Sequence, residues 1–172
     1  MIEKIHKDIQ TNLNKFNQDL VKMKPQEMLT WGYKKFDNQF AITTSFGIQS
    51  SVLLDMVSKL GLQKKIKIFW IDTGYLPPET YLYAEKLIDN LSLEVEVLQS
   101  ELSPARMEAK YGKLWETKKE SDLDKYHELR KIKPLENALE KYDISCWASG
   151  VRSSQTENRN KMKDKRPFEF HS

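Results

Sequence analysis

A loop rich in hydroxyl groups follows the first β-strand that the sequence predicts, in the stretch AITTSFGIQSSVLLDMVSKL. The hydroxyl residues around Gly47 are Thr44, Ser45, Ser50 and Ser51. An apolar helical pattern begins just after them, so backbone N–H groups at a helix N-terminus accompany the hydroxyls. This combination favours an anion, because the helix dipole is positive at that end. The loop matches neither common phosphate-binding fingerprint, so a capped turn with solvated hydroxyls is the alternative.

A second candidate lies at the end of the next predicted strand, KIKIFWI. Asp72 comes directly after this strand, and Thr73 and Gly74 follow it. A carboxylate there can accept hydrogen bonds from a nucleotide or hold a neighbouring loop. An Asx turn made by Asp72 itself is an equally supported interpretation.

Cations in the second half of the chain could complete an anion site. Arg152 and Gln155 follow the fourth predicted strand in SGVRSSQ, and a guanidinium there can clamp a phosphate or sulfate through two parallel hydrogen bonds. Arg130, Lys131 and Lys133 lie in LRKIKPL, which we expect at the front of a helix, where cations oppose the helix dipole. That placement suggests a bound anion. Solvated surface charge is the alternative in both cases.

Cys146 is the single cysteine, so the sequence contains no internal disulfide and no four-cysteine cluster. It lies between Ser145 and Trp147 in an apolar strand, with no neighbouring cation to lower its pKa. A buried structural thiol is therefore favoured over a nucleophile. The three histidines show no metal-ligand spacing, and no metal site is expected.

The elements that position these residues alternate along the chain. Residues 1–23 place Ile and Leu at helical spacing, and Pro25 is suited to open a second helix. Pro78 and Pro104 are placed to start further helices. Residues 112–126 are polar, and their pattern favours neither helix nor strand. The four predicted strands are FAITTS, KIKIFWI, LEVEVL and ISCWAS.

This alternation predicts an α/β fold, a doubly wound and mostly parallel sheet with helices on both faces. Ligands of such sheets bind beyond the carboxyl ends of the strands, where the strand order reverses. The loops to search therefore follow Ser45, Ile71, Leu98 and Ser149.

Composition narrows the class of protein. A chain of 172 residues is about one domain long. We expect no membrane span and no secretory signal, and therefore a cytoplasmic protein. The whole net charge of +3 is explained by residues 152–172, which hold six basic and three acidic side chains. Aromatics are not interleaved with these charges, which argues against a nucleic-acid partner.

Taken together, the loop sequences resemble one family. The segments TTSFGIQSSV, IDTGYLPPETY, AKYGKLWE, HELRKIKPLENAL and GVRSSQTENR are similar in order and approximate spacing to the 3′-phosphoadenylylsulfate reductases, thiol-dependent oxidoreductases of assimilatory sulfate reduction. The resemblance implies an adenine nucleotide α-hydrolase-like fold. It divides the chain into N-terminal helices packing on the domain (1–37), a nucleotide-binding α/β domain (38–160) and a basic tail (161–172).

The resemblance also implies a set of substrate-binding residues. Those around the phosphosulfate would be Ser45, Phe46, Gly47, Ile48, Gln49 and Ser50. Asp72, Thr73 and Gly74 would lie by the adenosine, and Lys131 would point to the sulfate. Arg152 and Gln155 would complete the anion site. The ligand would be 3′-phosphoadenylylsulfate or its product, adenosine 3′,5′-bisphosphate.

Cofactors and partners follow from the same likeness. Related adenylylsulfate reductases carry a Cys-Cys pair that binds an iron-sulfur cluster, and Tyr126 and His127 stand at those positions here. The resemblance thus implies no cluster and no other cofactor, with thioredoxin or glutaredoxin as external reductant. Family members are often dimers, which makes a homodimer an expectation.

One family feature has no counterpart in the sequence. Family members carry a Glu-Cys-Gly-Leu-His motif whose thiolate attacks the sulfonyl sulfur, and no cysteine follows Cys146. We therefore expect a truncated reductase with no catalytic residue of its own. A non-catalytic nucleotide-binding remnant and an ATP pyrophosphatase-like sulfate adenylyltransferase subunit are the alternatives. The latter is disfavoured because SFGIQSS lacks the Ser-Gly-Gly-x-Asp-Ser pattern of those enzymes.

Overall fold

A four-stranded parallel sheet forms the centre of the computed structural model, which describes residues 16–150. Its strands are β1 (Phe40–Thr44), β2 (Lys67–Ile71), β3 (Val95–Leu98) and β4 (Cys146–Ser149), in the order β3-β2-β1-β4. All three neighbouring pairs are parallel. The four predicted strands and the parallel α/β sheet are confirmed.

Six α-helices connect and cover the strands in the described part of the chain, after a helical end at 16–21. They are α1 (Pro25–Phe36), α2 (Ile48–Lys59), α3 (Pro78–Leu91), α4 (Pro104–Tyr111), α5 (Glu120–His127) and α6 (Lys133–Lys141), with a 3₁₀ turn at Asp37–Gln39. Proline occupies the first turn of α1, α3 and α4, where a backbone N–H would have no partner within the helix. The hydroxyl of Ser103 caps α4 by accepting a hydrogen bond from the N–H of Arg106.

One local prediction is wrong. A π-helical turn, Glu128–Ile132, joins α5 to α6, so helical backbone runs without a break through residues 120–141. Arg130, Lys131 and Lys133 therefore lie in the middle of a helical run and not at its front. The sequence of residues 112–126 did not predict this continuous helix, because α5 buries no residue and therefore has no strong apolar stripe.

Apolar side chains fill both faces of the sheet, because successive residues of a strand point to opposite sides. Phe40 and Ile42 of β1 belong to the larger cluster, with apolar residues of α1, α2 and α3. Ala41 and Phe69 point the other way and pack with Ala138 of α6. Helices thus cover both faces, as the doubly wound fold requires.

The strand order reverses beside β1. The chain steps outward from β1 to β2 and β3, and then returns to place β4 on the other side of β1. The carboxyl ends of β1 and β4 are level, since Thr43 pairs in register with Ser149. The crevice that a doubly wound sheet offers to a ligand is therefore at these two ends.

Several predictions lie outside the described residues. They include most of the first helix, the Gly-Val-Arg loop beyond Gly150, and the basic tail. The domain boundaries at 37 and 160 stay predictions. Among residues 16–150, the longest helices are too short or too polar to cross a membrane.

Candidate functional site

A cavity of about 570 Å³ opens at the point where the strand order reverses. The end of β1, the loop after it (the β1 loop) and the start of α2 line it with Thr43, Thr44, Ser45, Gly47, Ile48, Gln49 and Ser50. The end of β2 and the loop after it (the β2 loop) contribute Ile71, Thr73 and Leu76, the π turn contributes Lys131, and the end of β4 contributes Ser149 and Gly150. The structure thus brings together residues that are up to 107 positions apart, Thr43 and Gly150 being the outermost. A site with this lining combines hydroxyls, backbone amides and one ammonium group.

Hydroxyl groups organise the loop that follows β1. The Oγ1 of Thr44 accepts from the N–H of Phe46 (3.1 Å), and the Oγ atoms of Ser45 and Ser50 lie 3.3 Å apart. Gly47 is the N-cap of α2, and no side chain caps that end of the helix. The N-terminal end of α2 lines the cavity, and the positive end of its helix dipole gives this part of the cavity the polarity that an anion needs.

Phe46 is placed behind this loop and does not line the cavity. Its ring is 3% exposed and meets the ring of Trp70 edge-on at 4.8 Å. Its backbone has a φ of 52°, a conformation that bulky residues rarely adopt. The buried ring anchors the loop while the left-handed backbone turns the chain into α2.

Asp72 forms the Asx turn that the sequence left as an alternative. Its carboxylate accepts hydrogen bonds from the N–H of Gly74 (2.8 Å), the hydroxyl of Tyr81 (2.7 Å) and the amide of Gln99 (2.7 Å). Desolvation raises the pKa of Asp72, but these bonds and the charge of Arg130 together hold it below its ordinary value of 3.8. Asp72 and Gly74 therefore shape the β2 loop from behind, while Thr73 reaches the cavity.

The two cations of the π turn have different surroundings. Lys131 lines the cavity. The neighbouring Arg130 is 2% exposed, does not line the cavity, and donates hydrogen bonds to backbone carbonyl groups. Lys133 pairs with Glu128 at 2.8 Å. Of the predicted basic cluster, the structure thus brings only Lys131 to the site.

Gly150 closes the cavity from the side of β4. A Cβ added there would lie 3.1 Å from backbone atoms of Gln49 and Ser50, so the two loops meet main chain to main chain. Arg152 and Gln155 follow in sequence but lie outside the described residues. Their part in the site stays a prediction.

A sequence profile of the phosphoadenosine phosphosulfate reductase domain matches residues 39–166 of the chain. The match covers the whole sheet and every loop described above. This chain belongs to the phosphoadenosine phosphosulfate reductase domain family.

Individual family members agree with the profile. The chain is 42% identical over 151 residues to a phosphoadenosine 5′-phosphosulfate reductase of Synechococcus sp., a match that covers 88% of this chain and 64% of the relative. It is 44% identical over 138 residues to the enzyme of that name from Synechocystis sp., covering 80% and 55%. The chain therefore matches only part of the length of these curated reductases.

A solved reductase structure has the same fold. The crystal structure of phosphoadenylyl-sulfate reductase from Candida auris, a phosphate complex, superimposes with a TM-score of 0.70 at 31% identity and covers 85% of this chain and 70% of that chain. This likeness and the parallel sheet together confirm the predicted fold class.

The cysteine of this reductase-family chain is buried and does not line the cavity. Cys146 is 1% exposed and packs in the larger core cluster. Burial raises the pKa of its thiol from 9.0 to about 12, so it stays protonated near neutral pH. The prediction of a structural thiol is confirmed. Residues 16–150 also contain no cluster of His, Cys, Asp and Glu side chains able to hold a metal ion.

The sequence does not predict some of the lining residues or the burial of Arg130. Thr43, Ile71 and Ser149 lie at strand ends and Leu76 lies in the loop after β2, but their side chains carry no distinctive signal in the sequence. The sequence groups Arg130 with Lys131 and Lys133 as cations that suggest a bound anion or solvated surface charge. Its position between Leu129 and Lys131 gives no sign that it is buried, since burial depends on loops far away in sequence.

Proposed function

We propose that this chain is the nucleotide-binding part of a phosphoadenosine phosphosulfate reductase, which converts 3′-phosphoadenylylsulfate and a reduced thioredoxin to sulfite and adenosine 3′,5′-bisphosphate. The cavity at the strand reversal is the observation that supports it most directly. Its hydroxyls, its uncapped α2 amides and Lys131 match a tail made of a phosphate joined to a sulfate.

Each wall of the cavity has a function in this proposal. Ser45, Ser50 and the amides of Gly47, Ile48 and Gln49 donate hydrogen bonds to the phosphosulfate oxygens, and Phe46 holds the loop that carries them. Thr73 contacts the adenosine side, with Asp72 and Gly74 fixing its loop. Lys131 supplies positive charge next to the sulfate. Arg152 and Gln155 extend the anion site beyond Gly150, to which the chain joins them directly.

The reaction requires a thiolate that this sequence does not supply. In the proposed step a thiolate attacks the sulfonyl sulfur, an S–S bond forms, and the S–O bond to the nucleotide breaks. Adenosine 3′,5′-bisphosphate then leaves with the electron pair on its phosphate oxygen. The donors that bind the tail also stabilise this developing charge.

Cys146 is not that nucleophile, because it is buried in β4 and its thiol remains protonated. We therefore assign the reacting thiol to residues outside this sequence or to a second chain. Thioredoxin or glutaredoxin would then reduce the resulting S-sulfocysteine.

The remaining assignments follow from this chemistry. A thiol that thioredoxin recycles works in a reducing compartment, which supports a cytoplasmic location. The ring of Tyr126 packs against those of Trp115 (5.6 Å) and Tyr75 (6.1 Å), so this position is part of an aromatic cluster, which supports a protein without an iron-sulfur cluster there. A homodimer and the absence of nucleic-acid partners are part of the same proposal.

Calorimetric titration with adenosine 3′,5′-bisphosphate tests the binding proposal. We expect the chain to bind this nucleotide and to bind adenosine far more weakly, since adenosine lacks both phosphates. Lys131→Met and Arg152→Ala should each weaken nucleotide binding by about 1.5–3 kcal/mol, the usual worth of a charge-assisted hydrogen bond.

Lys141→Met is the matched control, because Lys141 is an exposed cation of α6 paired with Glu96. It should leave the affinity unchanged. Equal affinity for adenosine and its bisphosphate, or no loss in both Lys131→Met and Arg152→Ala, would contradict the proposal.

A further inference from the structure

Arg130 is a buried cation whose partners are main-chain carbonyl groups of two separate loops. Its Nε donates to the carbonyl oxygen of Thr73 at 2.7 Å, and its Nη2 donates to the same oxygen. Its Nη1 donates to the carbonyl oxygen of Leu102. One side chain from the π turn thus connects the loop after β2 with the loop after β3.

The surroundings of the guanidinium are shaped to receive it. Gly74 has a φ of 75°, and a Cβ there would lie 2.7 Å from Nη2 of Arg130 and from Cγ of Pro104. Only glycine leaves this space while adopting that backbone conformation. Asp72, in the same loop, is 5% exposed and interacts electrostatically with Arg130, which offsets part of the cost of burying both charges.

The π turn sets the direction in which Arg130 and Lys131 point. The N–H of Lys133 donates to the carbonyl oxygen of Glu128, five residues back, which is the π-type bond. An extra residue in a helical turn rotates the side chains after it by about 100° relative to an uninterrupted α-helix. This rotation lets α6 face the sheet with Ala138 while Arg130 faces the loops and Lys131 lines the cavity.

We propose that Arg130 is a positioning residue for the nucleotide site. It holds the Thr73 loop against the helical turn that carries Lys131, so that Thr73 and Lys131 face the same cavity before a ligand arrives. This inference rests on the proposed function, because the cavity is taken to be the nucleotide site. Arg130 acts through these two residues and does not itself line the cavity.

Arg130→Lys is the first test. Lysine keeps the charge but lacks the planar fork that reaches two carbonyl groups at once. We expect the affinity for adenosine 3′,5′-bisphosphate to fall about tenfold, which corresponds to about 1.4 kcal/mol. Lys141→Met, the exposed cation on the same helical run, should bind as the wild type does.

A double-mutant cycle with Lys131→Met separates positioning from general destabilisation. If Arg130 acts by placing Lys131, then Arg130→Lys should cost threefold or less once Lys131 is already methionine. The same tenfold loss in both backgrounds would overturn the proposal, since the two residues would then act independently. An unchanged affinity in the Arg130→Lys single variant would overturn it as well.

Hydrogen exchange in the ligand-free protein gives a readout that does not depend on nucleotide binding. Arg130→Lys should speed amide exchange in residues 73–76 and 99–102 but not in β1, and Lys141→Met should change neither. Exchange unchanged in both loops would overturn the proposal. A wild-type chain that does not bind the nucleotide would contradict the proposed function, while the exchange pattern would still decide whether Arg130 holds the loops.

Gly74→Ala perturbs the contact between Arg130 and the β2 loop from the side of the loop. It is the alternative test if Arg130→Lys does not fold. Its Cβ would displace the guanidinium, so it should reproduce the loss of affinity and the faster exchange. A folded Gly74→Ala variant with wild-type affinity and exchange would count against the proposal.

Discussion

Asp72 is a buried carboxylate that organises a loop although it does not line the cavity. It accepts three hydrogen bonds, from the β2 loop, from α3 and from the residue after β3. Burial and the bond to Asp72 raise the pKa of Tyr81 to about 12, so this hydroxyl remains a donor. The side chain therefore connects three elements at the edge of the sheet where the cavity opens.

We predict that Asp72→Asn lowers the free energy of unfolding at pH 7 by about 1–3 kcal/mol, because one amide NH₂ would face groups that are themselves donors. The pKa of Asp72 lies below 3.8 in the folded protein, so its stabilising effect is present above that pH and is lost as the pH falls through the folded value. Stability should thus depend less on pH below 4 in the variant.

Urea unfolding at pH 7 and pH 3 measures both effects. Asp55→Asn, at an exposed salt bridge of α2 with Lys59, is the control and should change stability by less than about 0.5 kcal/mol. Identical pH profiles for the wild type and Asp72→Asn would show that this carboxylate does not have the assigned function.

At the scale of elements, the site depends on how closely the end of β4 approaches the loop after β1. Gly150 touches the main chain of Gln49 and Ser50, where no flexible side chain can yield. These two loops follow neighbouring strands whose paired residues, such as Phe40 with Cys146 and Thr43 with Ser149, are 106 positions apart in sequence. The width of the cavity is therefore set by a backbone contact.

We predict that Gly150→Ala weakens binding of adenosine 3′,5′-bisphosphate about tenfold, or by about 1.4 kcal/mol, because the β1 loop must shift to accommodate the methyl group. The free energy of unfolding should change by less than about 1 kcal/mol, since the contact lies at the end of the sheet. Calorimetry and urea unfolding measure the two quantities.

Gly61→Ala provides the opposite pattern as a control. Gly61 has a φ of 66° with no atom within 4 Å of an added Cβ, so alanine there strains the backbone far from the cavity. It should lower stability and leave affinity intact. Equal affinities for Gly150→Ala and the wild type would show that the two loops can separate freely.

At the scale of the whole molecule, Cys146 reports on global opening. Its thiol lies in the larger core cluster beside residues of α1, β1, α2 and β2, so a reagent reaches it only when these elements separate. Because burial penalises the thiolate, the raised pKa leaves stability unchanged below pH 9, where the thiol is neutral in both states, and lowers it as the pH rises from 9 towards about 12.

We predict that a disulfide reagent such as DTNB labels the folded protein slowly at pH 8 and labels it at once in urea. Adenosine 3′,5′-bisphosphate at one hundred times its dissociation constant should slow native labelling about 100-fold, because it stabilises the folded state by about 2.7 kcal/mol. Rapid native labelling, or saturating nucleotide without effect on the rate, would contradict this view. Cys146→Ala gives the background rate.

Much of the fold could be predicted from local patterns. The runs of β-branched and aromatic residues that predicted β1 and β2, and the prolines that predicted the starts of α1 and α4, act within a few residues of themselves. The loop around Gly47 was found for the same reason, since a strand end, a helix start and four hydroxyls are adjacent in sequence. Residues 120–132 were missed because α5 packs through Tyr126 onto aromatic rings and not onto the sheet.

The sequence by itself therefore determined the α/β class, the strands, the family and the hydroxyl-rich loop. The tertiary structure alone decided that Asp72 closes an Asx turn, that Arg130 is buried against Thr73 and that Gly150 meets Gln49. The physical reason is the sequence separation of the partners. Arg130 and Thr73 are 57 residues apart, and their contact exists only because the strand order brings the ends of separate strands to one edge of the sheet.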